Sequence, residues 1–351
     1  MKQFLKKNKK NIFNAIFLVL MFVLTLYYVF HGSDDSLSEV WDKMQMAKPG
    51  WLLLSAVFIV LFIYGESHII HYLLRTFGIK ARRFTCFLYS CAGFFFSCIT
   101  PSASGGQPMQ VYYMKRNKIP IPVATVILMI ITITYKAVLV AVGVWLIVFD
   151  RPFIAQRLDG ILFIFYLGIF LNVVCIAVLL ILVFNNKLAS NLYLGLIRLF
   201  EKLHIMKRRK GRIESFMASM DVYKRTAEYF KSHVMVVVKV FGITILQRFA
   251  YFFTTYFIYK SFGLSGTNMY TVVMLQAVIS LSVDMLPLPG GMGISEALFN
   301  VIFLPVFGEE LLTAGMILSR SFSFYTELFV SAAFTIFAHI YIGRFTKKEA
   351  G

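Results

Sequence analysis

The strongest constraint in this chain is the recurrence of predominantly apolar runs of membrane-spanning length, at residues 12–30, 51–74, 122–148, 161–184, 233–259 and 311–342. A helix needs roughly 20 apolar residues to cross the hydrocarbon core, where every backbone polar group must find its partner internally. With 59% hydrophobic residues among 351, the chain lies outside the range of soluble domains. The expected fold class is an all-α polytopic membrane protein.

Two stretches cannot continue as helix within this background. Residues 286–296 hold Pro287, Pro289, Gly290, Gly291 and Gly293 before Glu296, and residues 100–108 hold Pro101, Gly105 and Gly106 before Gln107. Proline removes a helical donor, and glycine admits the conformations a sharp reversal needs. In lipid, unwound backbone survives only where protein or a water-filled cavity satisfies it. The apolar pieces beside the breakers, 84–99, 269–283 and 294–307, are too short to span. An ordinary turn at the membrane surface is the plainer reading. Paired breakers of this kind, however, are the best sequence pointer to a binding site in inverted-repeat transporters. Cation spacing agrees: Lys136 lies 30 residues after Gly106, and Arg320 lies 29 after Gly291.

The formal net charge of +18 would suit a nucleic-acid partner in a soluble chain. Here it reads as topology, and no direct nucleic-acid binding is expected. With both termini cytoplasmic, the segments assigned to the cytoplasm carry 26 of the 35 Lys and Arg residues. The first breaker is flanked by Arg75, Lys80, Arg82 and Arg83 and by Lys115, Arg116 and Lys118, so its hairpin enters and leaves on the cytoplasmic side. The second is flanked by the polar turn at 263–268 and by Glu309 and Glu310, which places it on the outer side. The expected architecture is a single domain, 1–351, of six full spans plus two re-entrant helical hairpins in an inverted-repeat arrangement. Residues 31–50 form an outside loop. Within the domain, 185–232 is a basic amphipathic cytoplasmic loop expected to lie on the inner leaflet, with apolar positions at Leu192, Leu196, Leu199 and Leu203 and at Tyr223, Ala227 and Phe230.

Intramembrane charge marks candidate sites. Glu66, Lys136, Lys239, Arg248, Asp284, Glu296, Arg320 and Glu327 fall within the apolar segments. Lys136, Arg248 and Arg320 sit at similar depth, a set able to hold a phosphate or another anionic head group, with Gln107 and Glu296 beside the breakers. The competing reading is structural pairing with Asp284, Glu296 and Glu327, for which Arg320 with Glu327, seven apart, is the natural match. Glu66, His68 and His71 cluster on one span without a third metal ligand in evidence. Cys86, Cys91, Cys98 and Cys175 show neither CxxC nor zinc spacing and read as small apolar fillers. No catalytic residue, metal site or cofactor is expected, because no nucleophile elbow, phosphate loop or dinucleotide fingerprint stands in a credible context.

The Pro-x-x-x-Gly-Gly-Gln-Pro pattern at 101–108, the Leu-Pro-x-Pro-Gly-Gly-x-Gly-x-x-Glu pattern at 286–296 and the following Arg320 resemble the lysylphosphatidylglycerol synthase transmembrane family. This is the flippase-like membrane region of the bacterial multiple peptide resistance factor. Many members carry an acidic residue at the position of Gln107 and an arginine near Gln110; here both are Gln, which leaves the first hairpin without a charged group of its own. The resemblance implies a protein of the bacterial cytoplasmic membrane that moves a phospholipid, lysyl- or another aminoacyl-phosphatidylglycerol, to the outer leaflet and so contributes to resistance against cationic antimicrobial peptides. Full-length members add a soluble domain that transfers an amino acid from tRNA to phosphatidylglycerol. The few residues after the last apolar run leave no room for it, so a separate aminoacyl-phospholipid synthase is the expected partner, with homo-oligomerisation left open. The alternatives are a phosphatidylglycerol lysyltransferase or its membrane partner, and an anionic-solute or ion-coupled transporter.

Overall fold

The computed structural model describes residues 37–100, 103–185, 188, 190 and 212–348. The apolar run at 12–30, Pro101 and the leucines at 192, 196, 199 and 203 lie outside the described residues. Those described form helices α1 (Leu37–Gln45), α2 (Pro49–Thr76), α3 (Arg83–Cys98), α4 (Gly106–Arg116), α5 (Ile121–Phe149), α6 (Arg151–Arg157), α7 (Leu162–Phe184), α8 (Arg212–Ser232), α9 (Val234–Ser261), α10 (Met269–Val283), α11 (Ile294–Arg320) and α12 (Thr326–Lys348), with no strand among them. Five segments are long and apolar enough to cross a membrane: Pro49–Thr76, Ile121–Phe149, Asp159–Phe184, Val234–Ser261 and Ile294–Ile340. The chain is an all-α polytopic membrane protein.

Its exterior carries large apolar side chains, such as Phe163, Leu246 and Phe329, which are at least two-thirds exposed. Lipid tails are as apolar as these side chains, so packing and polar contacts inside the bundle hold the helices together. Helix α2 lies along α9, α3 packs on α2 and α12, and α10 packs on α9 and α5. Each short helix therefore rests on the long helix before it and on the closing helix of the other half. Helices α3 and α4 pack on one another, as do α10 and α11, and their tips meet in a buried cluster of Cys98, Met292 and Phe324.

Two expectations gain physical detail, and a third is located. Residues 31–50 are not simply loop, because α1 occupies 37–45, where Val40 is buried and the helix packs against α11. The break expected before the last span is present at Gly308. Two helical pieces meet within α11 at Gly308 (φ 71°, ψ 164°), three residues after Pro305, and Ser321–Tyr325 then form a π-helical turn before α12. Proline costs the helix one hydrogen bond and glycine accepts the positive φ, so the exposed Glu309 and Glu310 mark a corner between the two pieces. Part of the apolar side of α8 packs on protein. Tyr223, Ala227 and Phe230 are buried, the Tyr223 hydroxyl donates to Leu182 O (2.8 Å), and the Tyr229 hydroxyl donates to Thr76 O (2.9 Å).

The approach of α7 to the end of α10 depends on Gly168. A Cβ there would lie 2.7 Å from Leu281 O and 2.9 Å from Ser282 Cα, both backbone atoms that cannot swing aside. Gly168→Val is expected to force the helices apart and lower stability by about 1–3 kcal/mol, as overpacking does. A detergent melting curve checks it, and a midpoint matching the wild type would show that the two backbones are not held in contact.

Candidate functional site

A cavity of about 420 Å³ opens between the two hairpins and helices α2, α5, α9 and α12. Lys136, Arg248, Arg320 and Gln107 line it together with Glu66, Asp284 and Glu327, and both Gly290 and Gly291 form part of its wall. The three cations inferred from depth thus converge, although they come from α5, α9 and α11, far apart in the chain. Glu296 stands just behind the wall, joined to the site through Arg320.

The second hairpin is clamped by charge. Arg320 Nε donates to Glu296 Oε1 (2.7 Å) and Nη2 donates to Gly290 O (3.0 Å), while Glu296 Oε2 accepts the Gly293 N–H (2.7 Å). Glu296 therefore caps the start of α11 and neutralises Arg320 at once, which occupies a helix-start donor otherwise open to a ligand. The breaker itself is a 3₁₀ turn at Pro289–Gly291 with Gly290 and Gly293 at φ 57° and 86°, conformations costly to residues with a Cβ. Lys136 Nζ pairs with Asp284 Oδ2 (2.5 Å) just after α10 and lies 3.4 Å from Asn172 Oδ1.

The first hairpin is held by neutral donors. Gly105 N–H donates to Thr100 Oγ1 (2.8 Å), Gly106 starts α4 against Gly93 O, and the Gln107 side chain donates to Thr132 Oγ1. Gln110 Nε2 donates to Glu66 Oε1 (2.6 Å), and the Cys98 thiol contacts Glu327 Oε1 (3.7 Å).

Arg248 differs from the other two cations. No carboxylate lies within ion-pair distance of it among the described residues, and its buried Nε has no hydrogen-bond partner. Its guanidinium sits 3.5 Å from the centre of the Tyr135 ring and 4.9 Å from that of Phe62, a cation–π cradle that holds the charge without neutralising it.

Several sequence readings are refined here. Arg320 pairs with Glu296 and not with Glu327, because the π turn between positions 320 and 327 inserts extra backbone and breaks the seven-residue register. Glu66 and His68 separate: Glu66 is buried at the cavity and His68 is exposed, as two positions on a helix about 200° apart must be. Cys98 is more than filler, since its thiol reaches Glu327. Asn172 was missed, although an amide in the most apolar span is a signal of interhelical bonding: its Nδ2 donates to Gly168 O (2.9 Å) and reaches Leu281 O. Gln110 carried no charge to announce it. Only its position opposite Glu66 makes it part of the site.

A family model described as Lysylphosphatidylglycerol synthase TM region matches residues 12–331. The chain belongs to that family. A search of curated proteins finds no match. As a member of the lysylphosphatidylglycerol synthase transmembrane family, this is a membrane-embedded protein of lysylphosphatidylglycerol biology. The matched residues include both breakers, the cations at 136, 248 and 320, and all four carboxylates around them.

Proposed function

We propose that this protein is a lipid translocase of the bacterial cytoplasmic membrane, with both termini cytoplasmic. In this reading it moves an aminoacyl-phosphatidylglycerol to the outer leaflet, where the added positive charge repels cationic antimicrobial peptides. Its partners are the phospholipid and a separate synthase that supplies it. Arg248 carries the reading: a cation held in the central cavity by aromatic faces, with no carboxylate in direct contact, is poised to take a phosphate. Lys136 and Arg320 shape the cavity through their ion pairs, and the two hairpins are re-entrant elements that approach it from opposite sides, leaving the acyl chains in lipid.

Reconstitution tests it. Proteoliposomes holding lysyl-phosphatidylglycerol in the inner leaflet alone are treated, after incubation, with an amine-reactive probe that cannot cross the membrane. Labelling that rises faster with protein than in protein-free vesicles is the expected result. Equal rates would reject translocation, and formation of the lipid from aminoacyl-tRNA and phosphatidylglycerol by the same preparation would identify a transferase instead.

A further inference from the structure

The acids and bases around the cavity do not balance. Lys136 is matched by Asp284 at 2.5 Å and Arg320 by Glu296 at 2.7 Å. What remains is Arg248 with two buried carboxylates, Glu66 on α2 and Glu327 on α12, which are electrostatic neighbours of Arg248 and of each other. Other groups reach this centre from the surrounding elements: Cys91 and Cys98 from α3, Lys136 from α5, Tyr251 from α9 and Arg320 from the end of α11, while α4 contributes the neutral Gln110. With the two direct pairs set aside, the centre carries one unit of negative charge when both carboxylates are ionised. An uncompensated charge in such a place is unfavourable enough that the group takes up a proton or recruits a cation.

We propose that Glu66 and Glu327, flanking Arg248, together hold one exchangeable proton that a cationic aminoacyl head group displaces, so that the protein exchanges lipid for proton. This rests on the translocase reading. A lysyl-phosphatidylglycerol head group has one phosphate and two ammonium groups, the charge inverse of one guanidinium and two carboxylates. When it binds, the phosphate meets Arg248 and the ammonium groups meet Glu66 and Glu327, and the proton leaves. Unmodified phosphatidylglycerol, with its phosphate alone, would leave a net negative charge buried and is rejected. The empty centre with its proton and the loaded centre without it are both neutral. The transmembrane potential, which acts on net charge moved, therefore opposes neither passage. Gln110 on α4 and Cys98 at the end of α3 both reach these carboxylates, so the exchange is felt directly by the first hairpin.

The test uses the purified full chain in detergent, weakly buffered with a pH indicator at about pH 6.5, below the usual range of an α-amino group. Adding lysyl-phosphatidylglycerol is expected to release about one proton per protein, and adding phosphatidylglycerol none. Glu66→Gln and Glu327→Gln should each abolish the release, and either one serves if the other does not fold. Lipid bound to the wild type without proton release would overturn the proposal. A lipid-free titration separates this failure from failure of the translocase reading. Between about pH 6 and pH 8.5, above the range of ordinary carboxylates, the wild type should take up one more proton than either variant. Superimposed titration curves would remove the proton-holding centre whatever the lipid does. A wild type that takes up the extra proton but never binds the lipid would overturn the exchange and the translocase reading together.

Discussion

Arg320→Ala is expected to cost about 3–5 kcal/mol of stability, because it leaves the Glu296 carboxylate buried with no cation and the Gly290 carbonyl without its donor. Glu296 is only 4% exposed at its side chain, so water does not replace the guanidinium. Beyond the Lys136–Asp284 pair at its entrance, the second breaker relies on this fork: its three glycines at positive φ turn the chain, and Arg320 holds that turn against the returning helix. The melting midpoint in detergent should fall on the order of 10 °C. Arg320→Met with Glu296→Gln should recover much of the loss, since removing both partners removes the unpaired charge, whereas removing one creates it. A midpoint within a degree or two of the wild type for Arg320→Ala would show that the pair does not support the hairpin.

Arg248→Gln should do the opposite, leaving the fold largely intact and removing transport. Among the described residues no direct ion pair or hydrogen bond is lost with this side chain; what goes is its contact with the Tyr135 and Phe62 rings, worth about 2 kcal/mol at most, and its charge beside Glu66 and Glu327, which the two carboxylates offset by taking up a second proton. A phosphate gripped by a guanidinium gains roughly 1.5–3 kcal/mol per charge-assisted bond, so lipid translocation in proteoliposomes should slow by about 10–100-fold. Arg248→Lys should fall between the two, because a point charge replaces a two-pronged donor. Wild-type rates in Arg248→Gln would transfer the head-group role to another residue. Together the two arginine variants separate a cation that builds the cavity from one that uses it, a distinction that their shared depth along the sequence does not contain.

Some of this was legible in the residues themselves. Apolar length dictated the long helices, since a run such as 122–148 has no other way to satisfy its backbone in lipid. Pro287, Pro289 and the neighbouring glycines dictated that the chain break where it does, because the constraint on proline and the freedom of glycine are local. Rise per residue converts position into expected depth, which singled out Lys136, Arg248 and Arg320, and the three line one cavity.

Partnership was decided elsewhere. Whether Arg320 meets Glu296 or Glu327 depends on a π turn whose extra backbone no heptad count anticipates, and Lys136 finds Asp284 148 positions away because α5 and α10 lie side by side. The same holds for the surplus carboxylate. Glu66 and Glu327 stand far apart in the chain, and only the packing of α2, α9 and α12 around the hairpin tips brings both into the cavity with Arg248. Local rules place a charge along its own helix. The angle at which that helix faces its neighbours is a property of the whole bundle, and it determines which charge is matched and which is left for a ligand.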